Sequence, residues 1–216
     1  MRYLKLMPLL LMLILAAGCG FPVSLHPLYS EKDTTFDASL LGAWITEDGE
    51  TTYVFKKKDA TSYQLLLTCA IDSEIKFNAD GSSSVEPVVK GANKEFVTCK
   101  CEAHLVKLGK HLFLDICPEE SSGSEPVNSF FWIRGHVFLK ISIEKDSLRI
   151  SYLNEEWLKE KLTAGKIKLA HEFLEKDLFD GRIIITAQTK ALRKFISKYA
   201  EDKEAFPEQD KLHRKN

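Results

Sequence analysis

Short runs of alternating apolar and polar residues follow one another through the middle of the chain, and this pattern restricts the fold more than any other feature. Turn-forming pairs such as Asp48-Gly49 and Gly109-Lys110 separate several of these runs. Consecutive strands joined by tight turns are antiparallel neighbours. The sequence therefore predicts a mainly β (α+β) fold, an antiparallel meander that forms a barrel-like or strongly curved sheet. The runs with the two-residue period of a strand are Thr52 to Lys57, Tyr63 to Cys69, Phe96 to Leu108, His111 to Cys117, Phe130 to Ile143 and Leu148 to Leu153.

The last third of the chain predicts two helices in addition to the sheet. Asn154 can cap a short helix near 154–163, because the glutamates that follow it favour the positive end of the helix dipole. Two short strands, Ile167 to Phe173 and Arg182 to Ala187, come next. A C-terminal helix near 189–200 then presents one apolar face, which must pack on the sheet. The residues of that face are Leu192, Phe195, Ile196 and Tyr199.

The first 18 residues have the features of an export signal. Arg2 and Lys5 precede an apolar run from Leu6 to Ala17, and small residues then lead to Cys19. A permanent transmembrane helix needs about 20 apolar residues, more than this run provides. The segment Leu15-Ala16-Ala17-Gly18-Cys19 resembles a lipobox, at which bacterial lipoprotein enzymes attach diacylglycerol to the cysteine thiol and cleave before it. The resemblance implies lipidation of Cys19.

These features divide the chain into four parts. They are a lipoprotein signal peptide (1–18), a lipidated tether (19–35), a single β-rich domain (36–200) and a charged C-terminal tail (201–216). The tether contains two prolines that favour an extended backbone, and the tail is expected to fray. The resemblance places the domain on the periplasmic or external face of a membrane. Glycine rather than aspartate after the cysteine favours the outer membrane where the cell has one.

Charge excludes one class of partner. Loss of residues 1–18 removes two positive charges, so the mature chain carries 28 Lys and Arg against 31 Asp and Glu, a net charge of −3. Nucleic-acid-binding domains carry clustered positive charge, whereas both signs are interspersed in this chain. We therefore expect no nucleic-acid partner. The expected partner is a membrane, contacted through the lipid anchor.

A short motif near the start of the first strand suggests the barrel type. Leu40-Leu41-Gly42-Ala43-Trp44 resembles the Gly-x-Trp opening of lipocalin and calycin barrels. The resemblance implies that Gly42 and Trp44 belong to one closed barrel end and that an arginine from a late strand stacks on the indole. Such a cation–π contact contributes about 1 kcal/mol. Arg182 is the predicted partner of Trp44, with Arg149 as the alternative.

Longer phrases resemble another group of proteins. His26-Pro27-Leu28-Tyr29 and Ala103-His104-Leu105-Val106-Lys107-Leu108-Gly109 resemble uncharacterised bacterial lipoproteins that have no assigned activity. The resemblance supports a lipoprotein with a lipocalin-like or calycin-like barrel domain. It leaves the function open.

The cysteines behind the lipobox predict disulfides, because an even number in an oxidising compartment usually pairs. They are Cys69, Cys99, Cys101 and Cys117. Cys99 and Cys101 lie about 6.6 Å apart on one strand face, at the edge of what a disulfide tolerates. The prediction therefore joins Cys69 to Cys99 and Cys101 to Cys117. The second pair requires a bulge or an added loop residue, since a two-residue hairpin loop puts Cys117 on the wrong face. A four-cysteine zinc site is the alternative, although the single-residue gap fits structural zinc poorly.

Nothing in the sequence predicts catalysis, a metal or a cofactor. The histidines form no metal-ligand pattern, and no nucleophile or phosphate-binding motif is present. With a two-residue hairpin loop, His104 and Asp115 would face each other, which could orient an imidazole as a base or form an ordinary polar pair on a solvated face. Two hypotheses remain. The barrel binds a small apolar ligand near the membrane, or the domain is a structural or interaction lipoprotein of the envelope without a ligand cavity.

Overall fold

A computed structural model describes residues 21–30, 33–71, 73–77, 83–87, 95–119, 133–174, 182–208 and 210–215, with backbone alone for 71, 73–77, 83–87 and 95. Cys19 and the expected signal peptide lie outside the described residues. Within them the protein is mainly β, with a closed antiparallel barrel of eight strands and two short helices. The expected fold class is therefore confirmed. No helix in this part of the chain is long and apolar enough to cross a membrane.

The strands and helices follow the sequence pattern closely in the middle of the chain. The strands are β1 (Val23–Ser24), β2 (Thr34–Thr35), β3 (Gly42–Thr46), β4 (Thr51–Lys57), β5 (Ser62–Ile71), β6 (Ser73–Phe77), β7 (Ser83–Pro87), β8 (Glu95–Leu108), β9 (His111–Pro118), β10 (Val137–Ile143), β11 (Ser147–Tyr152), β12 (His171–Phe173), β13 (Ile183–Ile185) and β14 (Asp210–Arg214). The helices are α1 (Glu155–Thr163) and α2 (Thr189–Tyr199), and a 3-10 turn spans Ala38–Leu40.

The barrel closes through a strand that the sequence pattern did not predict. That strand is β14. The strand order around the barrel is β8, β5, β4, β3, β14, β11, β10 and β9, and β9 pairs with β8 to complete the ring. β14 lies between β3 and β11, with Leu212 opposite Thr46 on one side and Leu148 on the other. Leu212 is fully buried. The prediction of a fraying tail over 201–216 is therefore wrong for 210–214, and the domain extends past its expected boundary.

The segment after the expected anchor is also part of the folded body. Leu28 is fully buried, and β1 pairs in parallel with β13. Ser24 and His136 exchange backbone hydrogen bonds of 2.9 and 2.8 Å. The prediction of an extended tether over 19–35 is therefore wrong for residues 21–30, which pack against the outside of the barrel.

Two apolar cores lie on opposite sides of the barrel wall. One fills the barrel, and the other lies between its outer surface and a layer made by residues 21–30, α1, α2 and β13. The wall strand β9 is buried on both faces, so Phe113 to Cys117 form a continuous buried run instead of alternating. Large side chains inside the barrel include Trp44, Phe55, Tyr63, Leu65, Leu114 and Ile150. Wall residues of the outer core include Val106, Phe113 and Phe138.

Both helices form for the reasons that the sequence indicates. The Asn154 side chain accepts a hydrogen bond of 3.1 Å from the Trp157 amide, which caps α1 as predicted. α2 buries Leu192, Phe195 and Ile196 on one face. The two helices contribute to the outer core and leave the barrel interior to the strands.

Candidate functional site at one end of the barrel

One end of the barrel is sealed by Leu40, Trp44 and Arg214, and we call it the tryptophan end. Trp44 is fully buried, and its indole N–H donates to the Leu40 carbonyl at 2.9 Å. The Arg214 guanidinium carbon lies 4.3 Å from the indole centroid. Its nitrogens also donate to the carbonyls of Leu41 at 3.0 Å and Ser39 at 2.5 Å. Stacking and hydrogen bonds therefore fix the same side chain over the ring.

Gly42 has a specific role in this arrangement. Its φ is +114°, which favours glycine, and a Cβ there would lie 3.2 Å from Nη1 of Arg214. A larger residue would strain the backbone and crowd the guanidinium. The Gly-x-Trp motif thus combines a ring that plugs the barrel with a backbone that lets the arginine reach it.

The stacked arginine is Arg214, a correction to the prediction of Arg182. Arg214 lies opposite Trp44 in register because β14 pairs directly with β3. Arg182 instead precedes β13, which belongs to a separate three-stranded sheet. The alternative, Arg149, forms exposed ion pairs with two glutamates. The sequence missed Arg214 because β14 contains a single apolar residue, too little for a recognisable strand pattern.

The opposite end of the barrel is lined by Leu67, Tyr152 and the exposed Val97, and we call it the tyrosine end. Tyr53 pairs with Trp44 across the β3–β4 hairpin, and its hydroxyl reaches Tyr152 at this end. Leu67 and Tyr152 are half-buried inward-facing residues. Val97 is 52% exposed, and Phe96 beside it, on the outer face of the wall, is 55% exposed. These two lie where β8 pairs with β5 but has passed the end of β9. Apolar groups are therefore accessible here.

Polar groups are set among these apolar residues. The Tyr53 and Tyr152 hydroxyl oxygens lie 2.6 Å apart. Burial, with the negative charge of Asp210 nearby, raises the pKa of Tyr152 to about 12 and that of Tyr53 well above its usual value. Burial also raises the pKa of Asp210. Phe21 stacks on Tyr152 with ring centroids 4.4 Å apart. A few hydrogen-bonding groups in an apolar lining are typical of small-molecule sites.

Thiols also line the tyrosine end. The Cys99 and Cys101 sulfurs lie 3.6 Å apart. Cys101 is buried in the barrel core, Cys99 is exposed, and Cys69 is half-buried on the neighbouring β5. Cys69, Cys99, Cys101 and Cys117 are free thiols in the structure. Within the described residues, no three metal-ligating side chains come close enough to hold an ion.

The predicted disulfides fail because of the strand register. The β8–β9 hairpin has the two-residue loop, so Cys117 lies opposite Glu102 and Cys101 opposite Pro118. Cys117 therefore points to the outer face of the wall and Cys101 to the inner face. Cys69 lies opposite Val97 rather than Cys99, and this offset separates Cys69 from Cys99. The two sulfurs that do lie close together are those of Cys99 and Cys101, the pair that the sequence prediction set aside.

A second polar cluster lies on the outer face of the barrel. His104 and Asp115 are opposite each other as predicted, but Asp115 makes its contacts elsewhere. Its two oxygens lie 2.6 Å from His136 Nδ1 and 2.6 Å from the Leu28 amide. His104 instead contacts Glu102 at 3.0 Å. Asp115 is 1% exposed, so the expected solvated face is a buried one. These bonds satisfy a buried carboxylate and hold residues 21–30 to the wall.

Neither protein-family models nor curated proteins nor solved structures gave a significant match to this chain. The closed eight-stranded barrel is compatible with a lipocalin-like fold. Function is therefore inferred from the two ends of the barrel and from the path of residues 21–30.

Proposed function

We propose that this protein is a lipid-anchored envelope protein whose barrel binds a small apolar or amphiphilic molecule at the tyrosine end, facing the membrane. The observation that carries the proposal is the contact between Phe21 and Tyr152. Phe21 follows the expected lipidation site, Cys19, by two residues, and two residues span at most about 7 Å. An acyl anchor on Cys19 would thus hold the tyrosine end close to the lipid surface.

Rigid packing of residues 21–30 supports this orientation. Leu28 is fully buried, and the Thr189 hydroxyl donates to the Pro27 carbonyl at 2.8 Å. Arg193 donates to the Leu28 carbonyl at 3.1 Å. Because these contacts fix the segment to α2 and to the barrel wall, the anchor has little freedom to turn the domain away from the membrane.

The lining of the tyrosine end suits an amphiphile. Half-buried Leu67 and exposed Val97 offer apolar contact, and the paired hydroxyls of Tyr53 and Tyr152 offer hydrogen bonds to a polar group. Large side chains occupy the barrel toward the tryptophan end. A ligand would therefore insert an apolar portion at the tyrosine end alone, and a small or single-chain molecule fits best.

The alternative is an interaction lipoprotein that binds an envelope protein, and one observation favours it. β12 is an edge strand of the three-stranded sheet. Its last residue, Phe173, is 45% exposed, and the next residue, Leu174, is 53% exposed. Exposed strand edges and apolar residues are common at protein interfaces. This surface is distinct from the tyrosine end, so substitutions can separate the two functions.

Membrane-purified full chain tests the anchor and the ligand together. We expect native mass spectrometry to detect an acylated protein with a bound lipid, and Cys19→Ala to abolish acylation and move the protein to the soluble fraction. A fluorescent fatty acid should bind the wild type. Leu67→Glu should weaken its binding at least tenfold, because a carboxylate enters the apolar lining.

Phe173→Ala is the matched control, an apolar residue away from the tyrosine end, and should bind the fluorescent fatty acid like the wild type. Absence of both copurified lipid and probe binding in the folded wild type would reject the ligand proposal. Unchanged fractionation of Cys19→Ala would reject the anchor.

A further inference from the structure

Two thiols touch at the tyrosine end without being bonded. The sulfurs of Cys99 and Cys101 lie 3.6 Å apart, and a disulfide bond of about 2.05 Å requires them to approach by about 1.5 Å. The two residues share the inward face of β8 because they are two positions apart in a strand. We propose that Cys99 and Cys101 form a reversible intrachain disulfide and exchange with external disulfides of small molecules or proteins.

Exposure assigns different roles to the two thiols. Cys99 is exposed and can meet a disulfide substrate, whereas Cys101 is buried behind it. Burial, and then the proximity of Cys99, raise the pKa of Cys101. Cys101 therefore remains a protonated thiol as long as Cys99 carries no bond to an external sulfur. The exposed Cys99 is the attacking group.

The exchange balances without a further reactant. The Cys99 thiolate attacks one sulfur of the external disulfide, forming a mixed disulfide and releasing the first external thiolate. Cys101 then loses its proton to solvent and attacks the Cys99 sulfur, which releases the second external thiolate. The two protein thiols lose two electrons and two protons, and the external disulfide gains two electrons and becomes two thiols once protonated by solvent.

Position on the strand makes the bond easy to reverse. Residues two apart in an extended strand have Cα atoms separated by about 6.6 Å, close to the upper limit for disulfides. Closing the bond therefore bends β8 where Leu65 and Leu67 lie opposite the two cysteines. Strained disulfides are reduced more readily than relaxed ones. The same bend alters the lining of the tyrosine end, so the redox state would change the shape of that lining.

The other thiols do not offer the same chemistry. Cys117 faces the outer side of the wall, since it lies opposite Glu102. Cys69 lies on β5 opposite Val97, offset from Cys99. The double variant Cys69→Ser/Cys117→Ser thus retains the proposed pair and removes both competitors.

Mass spectrometry of the full chain tests the proposal. The protein is purified from membranes, incubated with oxidised glutathione and then treated with an alkylating reagent. We expect the double variant to lose 2 Da on oxidation and to resist alkylation at Cys99 and Cys101. A glutathione buffer that leaves relaxed disulfides intact should then reduce the new bond and restore both thiols. Adding Cys101→Ser should leave Cys99 trapped as a glutathione adduct, whereas adding Cys99→Ser should prevent any adduct on Cys101. Two alkylated thiols after exhaustive oxidation, or a bond found only when Cys69 is present, would overturn the proposal. Neither outcome depends on lipid binding.

Discussion

The two ends of the barrel use aromatic residues in opposite ways. At the tryptophan end, Trp44 is fully buried and is held by Leu40 and Arg214 through stacking and backbone hydrogen bonds. At the tyrosine end, Tyr152 is only half-buried and Phe96 is mostly exposed. Burial of apolar surface stabilises a fold, whereas accessible apolar surface is available to a ligand. Substitutions at the first end should therefore reduce stability, and substitutions at the second should reduce binding.

The largest effect is expected from Trp44→Ala. Removing a buried aromatic ring leaves a cavity and should lower the free energy of unfolding by about 3–5 kcal/mol. Phe96→Ala at the tyrosine end should change it by less than about 0.5 kcal/mol, because Phe96 is 55% exposed. Urea unfolding followed by circular dichroism measures both. Equal losses in the two variants would contradict the contrast between the ends.

Arg214→Ala should have the next largest effect, about 2 kcal/mol, since it removes a cation–π contact and three hydrogen bonds to carbonyls. Arg149→Ala is the matched control. Its ion pairs are exposed to solvent, so its removal should reduce stability much less than the removal of Arg214. The same unfolding experiment ranks the two arginines, and a larger loss for Arg149→Ala would show that the stacked guanidinium is not what secures Trp44.

The tyrosine pair should be visible in an alkaline titration. The pKa of Tyr152 is raised from 10.0 to about 12, so the folded state favours its protonated form. The corresponding stability is fully present below pH 10 and is lost as the pH rises toward 12. Tyr152→Phe should remove that loss and cost about 1 kcal/mol at neutral pH. Phenolate absorbance and unfolding midpoints across this range give the measurement. Ionisation of Tyr152 at an ordinary tyrosine pH would argue against a buried pair.

The smallest effect is expected at Asp59, in the β4–β5 turn at the tryptophan end. Hydrogen bonds from Ser62 and Thr61 lower the pKa of its carboxyl to about 2. Its stabilising effect is therefore present above the unfolded pKa of about 4 and is lost as the pH falls from there toward 2. Asp59→Asn should unfold with a midpoint that is less sensitive to acid in this interval. If the wild type and Asp59→Asn lost stability equally as the pH falls, the acid sensitivity would come from another carboxyl group.

Sequence reasoning succeeded where burial follows a repeating pattern. The alternation in β4, β5, β8 and β11 predicted their positions, and Asn154 predicted the cap of α1. It failed where one contact decides the outcome. In β14, Leu212 alone faces the core, so no pattern marks the strand. At Asp115, the neighbours across the hairpin were predicted, but His136 and Leu28 come from segments whose proximity depends on the tertiary fold.

The candidate site was harder to predict than the barrel. Tyr53 and Tyr152 are 99 residues apart in the chain, and neither belongs to a motif. Cys99 and Cys101 were visible, but an average strand rise puts them at the edge of disulfide geometry. Side-chain rotation brings the sulfurs to 3.6 Å, and spacing along the chain carries no information about rotamers.

The position of β14 also constrains the order in which the molecule can be built. His213 and Glu47, which interact across the β3–β14 seam, are 166 residues apart, and joining such distant segments is slow because of the entropy lost on loop closure. Until residues 210–214 arrive, β3 and β11 each present an unpaired edge that can recruit a strand from another molecule. The interval before the seam forms is therefore when aggregation competes with folding.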